Sequence, residues 1–329
     1  MSGQQIWNFI LNELSENKNV ILYSVVSYTK GSPGKTGFRM AVSETGNHNG
    51  SVGGGIMEFE LIKNSRALFQ SGKKINTIEN LIHYKQKISS ATDIPARESG
   101  LICSGSQIIS VNLITVKDIH TVQKITKSFG KWNKIFLSTC SSGLKIGLSG
   151  NSENEKFTFR YSGIEKWQFT ENTGLRDTVL IAGAGHVGVA LYNILSTLDF
   201  NIILFDDRKG LKIDLNKFIS SKIITRAFVE IGNYALMYNV KYAVIVTRNF
   251  ESDKQALMQL LKKDLKYLGL MGTKAKIKKI FSEAVKEGGD KNLIRRVKAP
   301  VGIEINSKTP EEIAVSIAAE IIKTRNSSE

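Results

Sequence analysis

The chain has 329 residues, which at roughly 150 residues per domain allows about two domains. It is 41% hydrophobic and 23% charged, enough apolar material for a sizeable core and too much for wholesale disorder. Its 45 Lys and Arg against 30 Asp and Glu give +15, which favours an acidic partner (nucleic acid, a phosphorylated ligand or an acidic protein surface) without choosing among them, and a Lys-rich solvated face accounts for it equally.

The opening segment reads as an amphipathic helix, with Ile6, Phe9, Ile10 and Leu14 at helical spacing. Val20 to Thr29 reads as a strand, a Gly-Ser-Pro-Gly turn follows at Gly31 to Gly34, and Phe38 to Val42 reads as a second strand. The turn region lacks the spacing of a P-loop but offers Lys35 and Arg39 to an anion. Gly50 to Gly55 is a second glycine loop, leading into a helical pattern that starts at Ile56 and carries Glu58. Three consecutive glycines are costly in chain entropy. A backbone nest for an oxyanion or phosphate explains them, and a close-packed turn is the alternative. Strand-like runs recur at Gln107 to Thr115, Lys134 to Cys140 and Thr158 to Phe169.

Polar residues and Gly174 interrupt the pattern near Asn172 to Asp177, the expected boundary between a first domain, 1–174, and a second, 175–329. From Thr178 strands alternate with helices: TVLIAG, HVGVALYNILSTL and NIILFDD, then the short strands KIIT, YAVIVT and YLGLMG. That alternation predicts a parallel sheet with helices on both faces. Gly183-Ala184-Gly185-His186-Val187-Gly188 is a G-x-G-x-x-G loop between a strand and a helix, and Asp206 follows 23 residues after Gly183 at the end of the next strand. Such a loop lets a pyrophosphate approach the backbone at a helix N-terminus, and such an acid accepts hydrogen bonds from a ribose. His186 either lines that anion site or faces solvent. The last helix is signalled by Thr309 as N-cap, Pro310 at the first position, Glu312 completing a capping box, and the stripe Ile313, Ile317, Ile321.

Two cysteines, Cys103 and Cys140, are too few for a disulfide framework or a zinc knuckle, and His48, His83, His120 and His186 show no ligand spacing. The first residues lack the basic start and apolar run of a secretory leader, and no apolar run reaches the ~18 residues of a membrane span. A reduced, soluble, cytoplasmic protein is expected. Nucleic acid is not an expected partner: Lys274 to Lys298 holds nine Lys or Arg against three acids, but aromatics to stack on bases are nearly absent there.

The stretches GSPGKTGFRMAV (31–42), GSVGGGIMEFE (50–60), GLICSGSQIISV (100–111), LIAGAGHVGVAL (180–191), FDDR (205–208), GLMGTKAK (269–276) and APVGIEINSKTPEEIAVSIAAEII (299–322), in that order, resemble the XdhC/CoxI family of xanthine dehydrogenase accessory proteins. The resemblance implies an N-terminal mixed α/β domain followed by a Rossmann-like domain with a parallel sheet. It implies a molybdenum cofactor-binding insertion factor, a chaperone rather than a catalyst. Such a protein protects the molybdopterin while its sulfido ligand is installed and delivers it to an apo xanthine dehydrogenase-type molybdenum hydroxylase. A cysteine desulfurase and a second copy of the chain are the further partners implied. The cofactor-binding residues on this reading are Arg39, Ser51, Gly53, Gly54, Gly55, Cys103, Gly183, Gly185, His186, Gly188 and Asp206, with Cys103 as a soft ligand to molybdenum. A buried, inert thiol is the alternative for Cys103. The chain departs from the family at Cys103-Ser104-Gly105, where Cys-Gly-Gly is usual, and at Thr247-Arg248-Asn249, where Thr-His-Asp is usual. The second departure argues against a histidine-dependent reaction and leaves phosphate or carboxylate contact open. The competing function is an NAD(P)-dependent oxidoreductase using the Rossmann-like half, for which the sequence offers no evident hydride-transfer acid or base.

Overall fold

The computed structural model describes residues 3–71, 75–83, 93–132, 134–148, 155–210 and 221–327. The chain divides into two compact units, Met1–Leu175 and Arg176–Glu329.

The first unit opens with α1 (Gly3–Ser15), whose apolar stripe buries Ile6, Trp7, Ile10 and Leu14. Six strands form its larger sheet: β1 (Val20–Tyr28), β2 (Arg39–Ser43), β3 (His48–Ser51), β4 (Asn76–Ile82), β5 (Ala96–Glu98) and β6 (Ser106–Ile114), in the order β3-β2-β1-β6-β4-β5. Helix α2 (Gly55–Gln70) follows β3 directly. Strand β1 is buried on both faces because its side chains alternate between two cores. Leu22 packs with α1 and with Val122, Ile125 and Phe129 of α3 (Ile119–Lys131), while Ile21 and Tyr23 pack with Met57 and Leu61 of α2. A second sheet, β8-β7-β10-β9, contains β7 (Phe136–Cys140), β8 (Gly143–Gly147), β9 (Phe157–Tyr161) and β10 (Trp167–Asn172). The run read from sequence as one strand from Thr158 to Phe169 is thus a hairpin, its turn closed by Lys166 N–H to the Gly163 carbonyl (2.8 Å) and Ser162 N–H to the Lys166 carbonyl (2.9 Å). Cys140 is buried, its Sγ 3.1 Å from the Gly143 carbonyl.

The second unit is the regular alternation expected. Its elements are β11 (Thr178–Ala182), α4 (His186–Ser196), β12 (Asn201–Asp206), β13 (Ser221–Thr225), α5 (Ile231–Met237), β14 (Tyr242–Ile245), α6 (Phe250–Leu260), β15 (Tyr267–Leu270), α7 (Lys274–Lys286), α8 (Lys291–Ile294) and α9 (Pro310–Asn326). The five strands run parallel in the order β13-β12-β11-β14-β15. Helices α4 and α9 cover one face, with Leu191, Leu195, Ile317 and Ile321 packed on Val179, Ile202 and Val244. On the other face Phe205 meets Phe228 and Tyr234 at ring distances of 5.8 and 5.6 Å. The capping box of α9 is formed, with Glu312 N–H on Thr309 Oγ1 and Thr309 N–H on Glu312 Oε2, both 3.2 Å. In this strand order the direction of winding reverses between β11 and β14, which opens a crevice at the carboxyl ends of the strands.

Candidate functional site

A cleft of about 270 Å³ occupies that crevice, lined on its polar side by the glycine loop, His186, Asp206, Asp207, Arg208, Thr247 and Arg248. Val187, Phe228, Val246 and Met271 supply an apolar wall. The three glycines of the loop do different work. A Cβ on Gly183 would lie 2.5 Å from the Val246 carbonyl, and one on Gly188 would lie 1.9 Å from the Gly183 carbonyl, so both are demanded by close packing. Around Gly185, the N-cap of α4, there is nothing within 4 Å of a Cβ position, so this residue leaves the first turn of the helix open to a ligand. His186, the first residue of α4, is exposed on the cleft.

Asp206 is not open to a ribose. Its Oδ2 accepts from the Ala184 N–H (2.7 Å) and Arg208 Nη2 (3.0 Å), and its Oδ1 from the Arg208 N–H (2.9 Å) and Arg208 Nε (2.8 Å). Burial alone would raise its pKa. The Arg208 side chain, the two N–H groups and the Arg208 charge outweigh that and bring it down to about 2. Arg208 Nη2 also holds the Ala184 carbonyl (2.9 Å), so acid and arginine together fix the glycine loop. The ribose role expected for Asp206 is therefore corrected to a structural one, because an arginine two residues along satisfies the carboxylate first. Across the cleft Arg248 forms an exposed pair with Asp207 (3.2 Å). Its neighbours are committed: Asn249 caps α6 by accepting the Ser252 N–H (2.8 Å), and Thr247 Oγ1 donates to the fully buried Asp253 (2.5 Å). Burial raises the pKa of Asp253 although Lys276 lies 2.5 Å away and opposes the rise.

In the first unit the glycine nest already holds an anion, and the anion is the chain's own. Glu58 Oε1 accepts from Ser51 Oγ (2.7 Å) and from the N–H groups of Val52 (2.7 Å), Gly53 (3.0 Å) and Gly54 (2.7 Å). A carboxylate one turn into α2 reaches its own N-terminus before any external oxyanion can, so Ser51, Gly53 and Gly54 are turned inward, and Gly55 begins the helix. Arg39 is likewise spent: it is 5% exposed and its Nη1 pairs with the buried Glu171 at 2.7 Å.

What the two glycine loops share is a buried polar hub that sequence reasoning missed. Gln107, on β6, donates Nε2 to the Val52 carbonyl (2.8 Å) and accepts at Oε1 from the Gly34 N–H (3.2 Å) and Ser32 Oγ (2.9 Å). Ser32 Oγ lies 3.0 Å from His83 Nε2, and His83 Nδ1 lies 2.7 Å from Ser99 Oγ. Ser32 has one proton and it goes to Gln107, so His83 must carry its proton on Nε2 and accept from Ser99 on Nδ1. Burial lowers the pKa of His83 and keeps it neutral. A histidine in that tautomer cannot take the Ser32 proton, so this Ser-His pair is a tie between loops and not an activated nucleophile. An amide at an otherwise apolar inward position of β6 was the available sequence signal.

Cys103 sits on the third loop of this cluster, half-buried, beside the exposed Ile102. The loop lies against the first glycine loop: a Cβ on Gly31 would be 2.1 Å from Ser104 Oγ, and the Ser106 N–H donates to Thr29 Oγ1 (2.7 Å). The exposed cations here are Lys30 and Lys35, the latter 4.5 Å above the Tyr28 ring. Among the described residues no three His, Cys, Asp or Glu converge as a cage for a metal ion.

Comparison with known proteins bears on both units. Residues 179–321 match the family model described as the XdhC Rossmann domain, and residues 14–84 match the model of the XdhC and CoxI family. A Bacillus subtilis (strain 168) protein described as a probable xanthine dehydrogenase subunit is 23% identical over 95% of both chains. The uncharacterized protein YqeB of Escherichia coli (strain K12) is 29% identical over 46% of this chain, a match spanning 28% of YqeB. A crystal structure described as a xanthine dehydrogenase from Bacillus halodurans is 20% identical, covers 100% of this chain and 97% of its own, and superposes with a TM-score of 0.67, which shows a common fold. With a Rossmann-type second unit and both units matched in order by models of one family, the chain belongs to the XdhC/CoxI family.

Proposed function

We propose that this protein is an accessory factor of a xanthine dehydrogenase-type molybdenum hydroxylase, binding the molybdenum cofactor and handing it to the apo-enzyme. The observation that carries the reading is the end-to-end correspondence with a relative described as a probable xanthine dehydrogenase subunit, 95% of each chain, together with family models on both units. The donor set of the first unit fits such a ligand. A bare metal ion needs several converging side chains, whereas a metal that arrives in its own pterin ligand asks the protein for one soft contact at most, and Cys103 offers a half-buried thiol. Arg39 and the Glu58-filled nest do not present charge to the phosphate of a pterin, but Lys30 and Lys35 do. When bound, the cofactor supplies the redox chemistry of the hydroxylase. The chain's own task is to hold it, shield it and release it, with the exposed Ile56, Phe59 and Ile102 around the same loops for the apo-enzyme to meet. The same reading gives a homodimer that docks the hydroxylase and a cysteine desulfurase in turn.

Protein purified from cells with intact cofactor synthesis is expected to carry pterin, seen as fluorescence after oxidation, and molybdenum, in a particle of twice the chain mass. Cys103→Ala is expected to lose most of the molybdenum. Wild-type protein with neither pterin nor molybdenum, and no affinity for added cofactor, overturns the reading. A Cys103→Ala variant as loaded as wild type removes the thiol from it.

A further inference from the structure

We propose that the cleft of the second unit binds a pyridine dinucleotide phosphorylated on its adenosine ribose, the NADP class, and selects it over the unphosphorylated form. The site for the pyrophosphate is the open first turn of α4 at Gly185, where a Cβ position meets nothing within 4 Å. The apolar wall of Phe228, Val246 and Met271 receives a ring.

The selection follows from how the charges at the end of β12 are used. A bare ribose diol is normally held by the acid at this position. Here both oxygens of Asp206 are filled by four N–H donors from Ala184 and Arg208, so that acceptor is absent. The same contacts fix Arg208 at the rim of the cleft, and among the described residues its Nη1 has no partner. Arg248 stands on the loop after β14, held among the described residues only by the exposed Asp207 at 3.2 Å. An exposed pair of this kind is weak, roughly 0–1 kcal/mol, so a phosphate dianion can displace the Asp207 carboxylate from Arg248. Two guanidiniums then face the phosphate, while at the end of β12 a diol would find Asp206 filled and Asp207 already paired.

The proposal concerns binding alone and does not rest on the molybdenum reading; its probes are NADPH and NADH themselves. Fluorescence titration of the full chain is expected to show NADPH binding about tenfold or more tighter than NADH, the effect of one charge-assisted phosphate contact. Arg248→Gln is expected to weaken NADPH until the two lie within about twofold, leaving NADH unchanged. Asp207→Asn, which frees Arg248, is expected to widen the preference. Both side chains lie on the surface of the cleft, and unchanged thermal melts establish that the variants are folded. NADH binding as tightly as NADPH, weaker NADH binding in Asp207→Asn (the mark of Asp207 as diol acceptor), an unaltered preference in Arg248→Gln, or no binding of either nucleotide overturns the proposal.

Discussion

In the first unit a single carboxylate oxygen, Glu58 Oε1, accepts from three main-chain N–H groups and one hydroxyl and so fixes the loop ahead of α2. Hydrogen bonds to an ionised acceptor are roughly twice as strong as neutral ones. Of the three N–H groups, Gly53 alone has a second acceptor in the loop, the Ser51 hydroxyl at 3.2 Å. Glu58→Gln keeps the shape and removes the charge, so it is expected to cost about 1–2 kcal/mol in urea denaturation. Glu58→Ala leaves the donors to water and is expected to cost about 2–3 kcal/mol. If Glu58→Ala unfolds at the wild-type urea midpoint, the contact is incidental. The glycines and Glu58 are both visible in the sequence, which leaves open whether the loop is a nest for an outside anion or a close-packed turn. Nothing in residue types alone says that a side chain four to six positions on will fold back into it, because that depends on where α2 begins.

At the scale of elements the two halves differ in legibility for a physical reason. Strands β11, β12, β14 and β15 of the parallel sheet are buried on both faces and read as continuous apolar runs, such as VLIA and IILF, set between helices. Strands β4 and β8 of the first unit, NTIENLI and GLKIG, carry polar residues on a partly exposed face and lack such a run, so they escaped notice, as did the amphipathic α3. The dinucleotide loop was legible as a motif, and the structure separates its parts. Gly188→Ala would press a methyl to 1.9 Å from the Gly183 carbonyl, and a clash with backbone cannot be relieved by a rotamer. It is expected to cost more than about 3 kcal/mol or to abolish folding of the second unit. Gly185→Ala meets nothing within 4 Å and has an ordinary φ of −81°, so its melting should stay within about 0.5 kcal/mol of wild type. Its methyl nevertheless occupies the approach to the helix N-terminus, and nucleotide binding should fall. Equal stability of the two variants would contradict this division of labour.

For the whole molecule, the titrating groups place the acid sensitivity of the two units in different pH windows. His83 of the first unit is 2% exposed and its hydrogen-bond partners, Ser32 and Ser99, are uncharged, so burial lowers its pKa below the ordinary 6.5. The unfolded chain therefore takes up a proton first. The stability that neutral His83 contributes is full above pH 6.5 and drains away as the pH falls below it. Protonation would also give Nδ1 a hydrogen, so the Ser99 hydroxyl would have to turn from donor to acceptor in this contact. Asp206 of the second unit is the depressed carboxylate case. Its contribution is full above the ordinary 3.8 and is lost only as the pH falls towards about 2, a shift worth roughly 2 kcal/mol. Calorimetry between pH 7.5 and 5 is thus expected to move the first unit's transition down. In the second unit Asp206 adds no slope there, and Asp253, its pKa raised by burial, acts in the opposite sense as the pH falls. Removing the titrating ring with His83→Gln should flatten the moving transition. In Asp206→Asn the other transition should lose its slope between pH 4 and 2. Two transitions that shift together over the upper range, or a His83→Gln variant with the wild-type slope, would show that another group governs the acid response of the first unit.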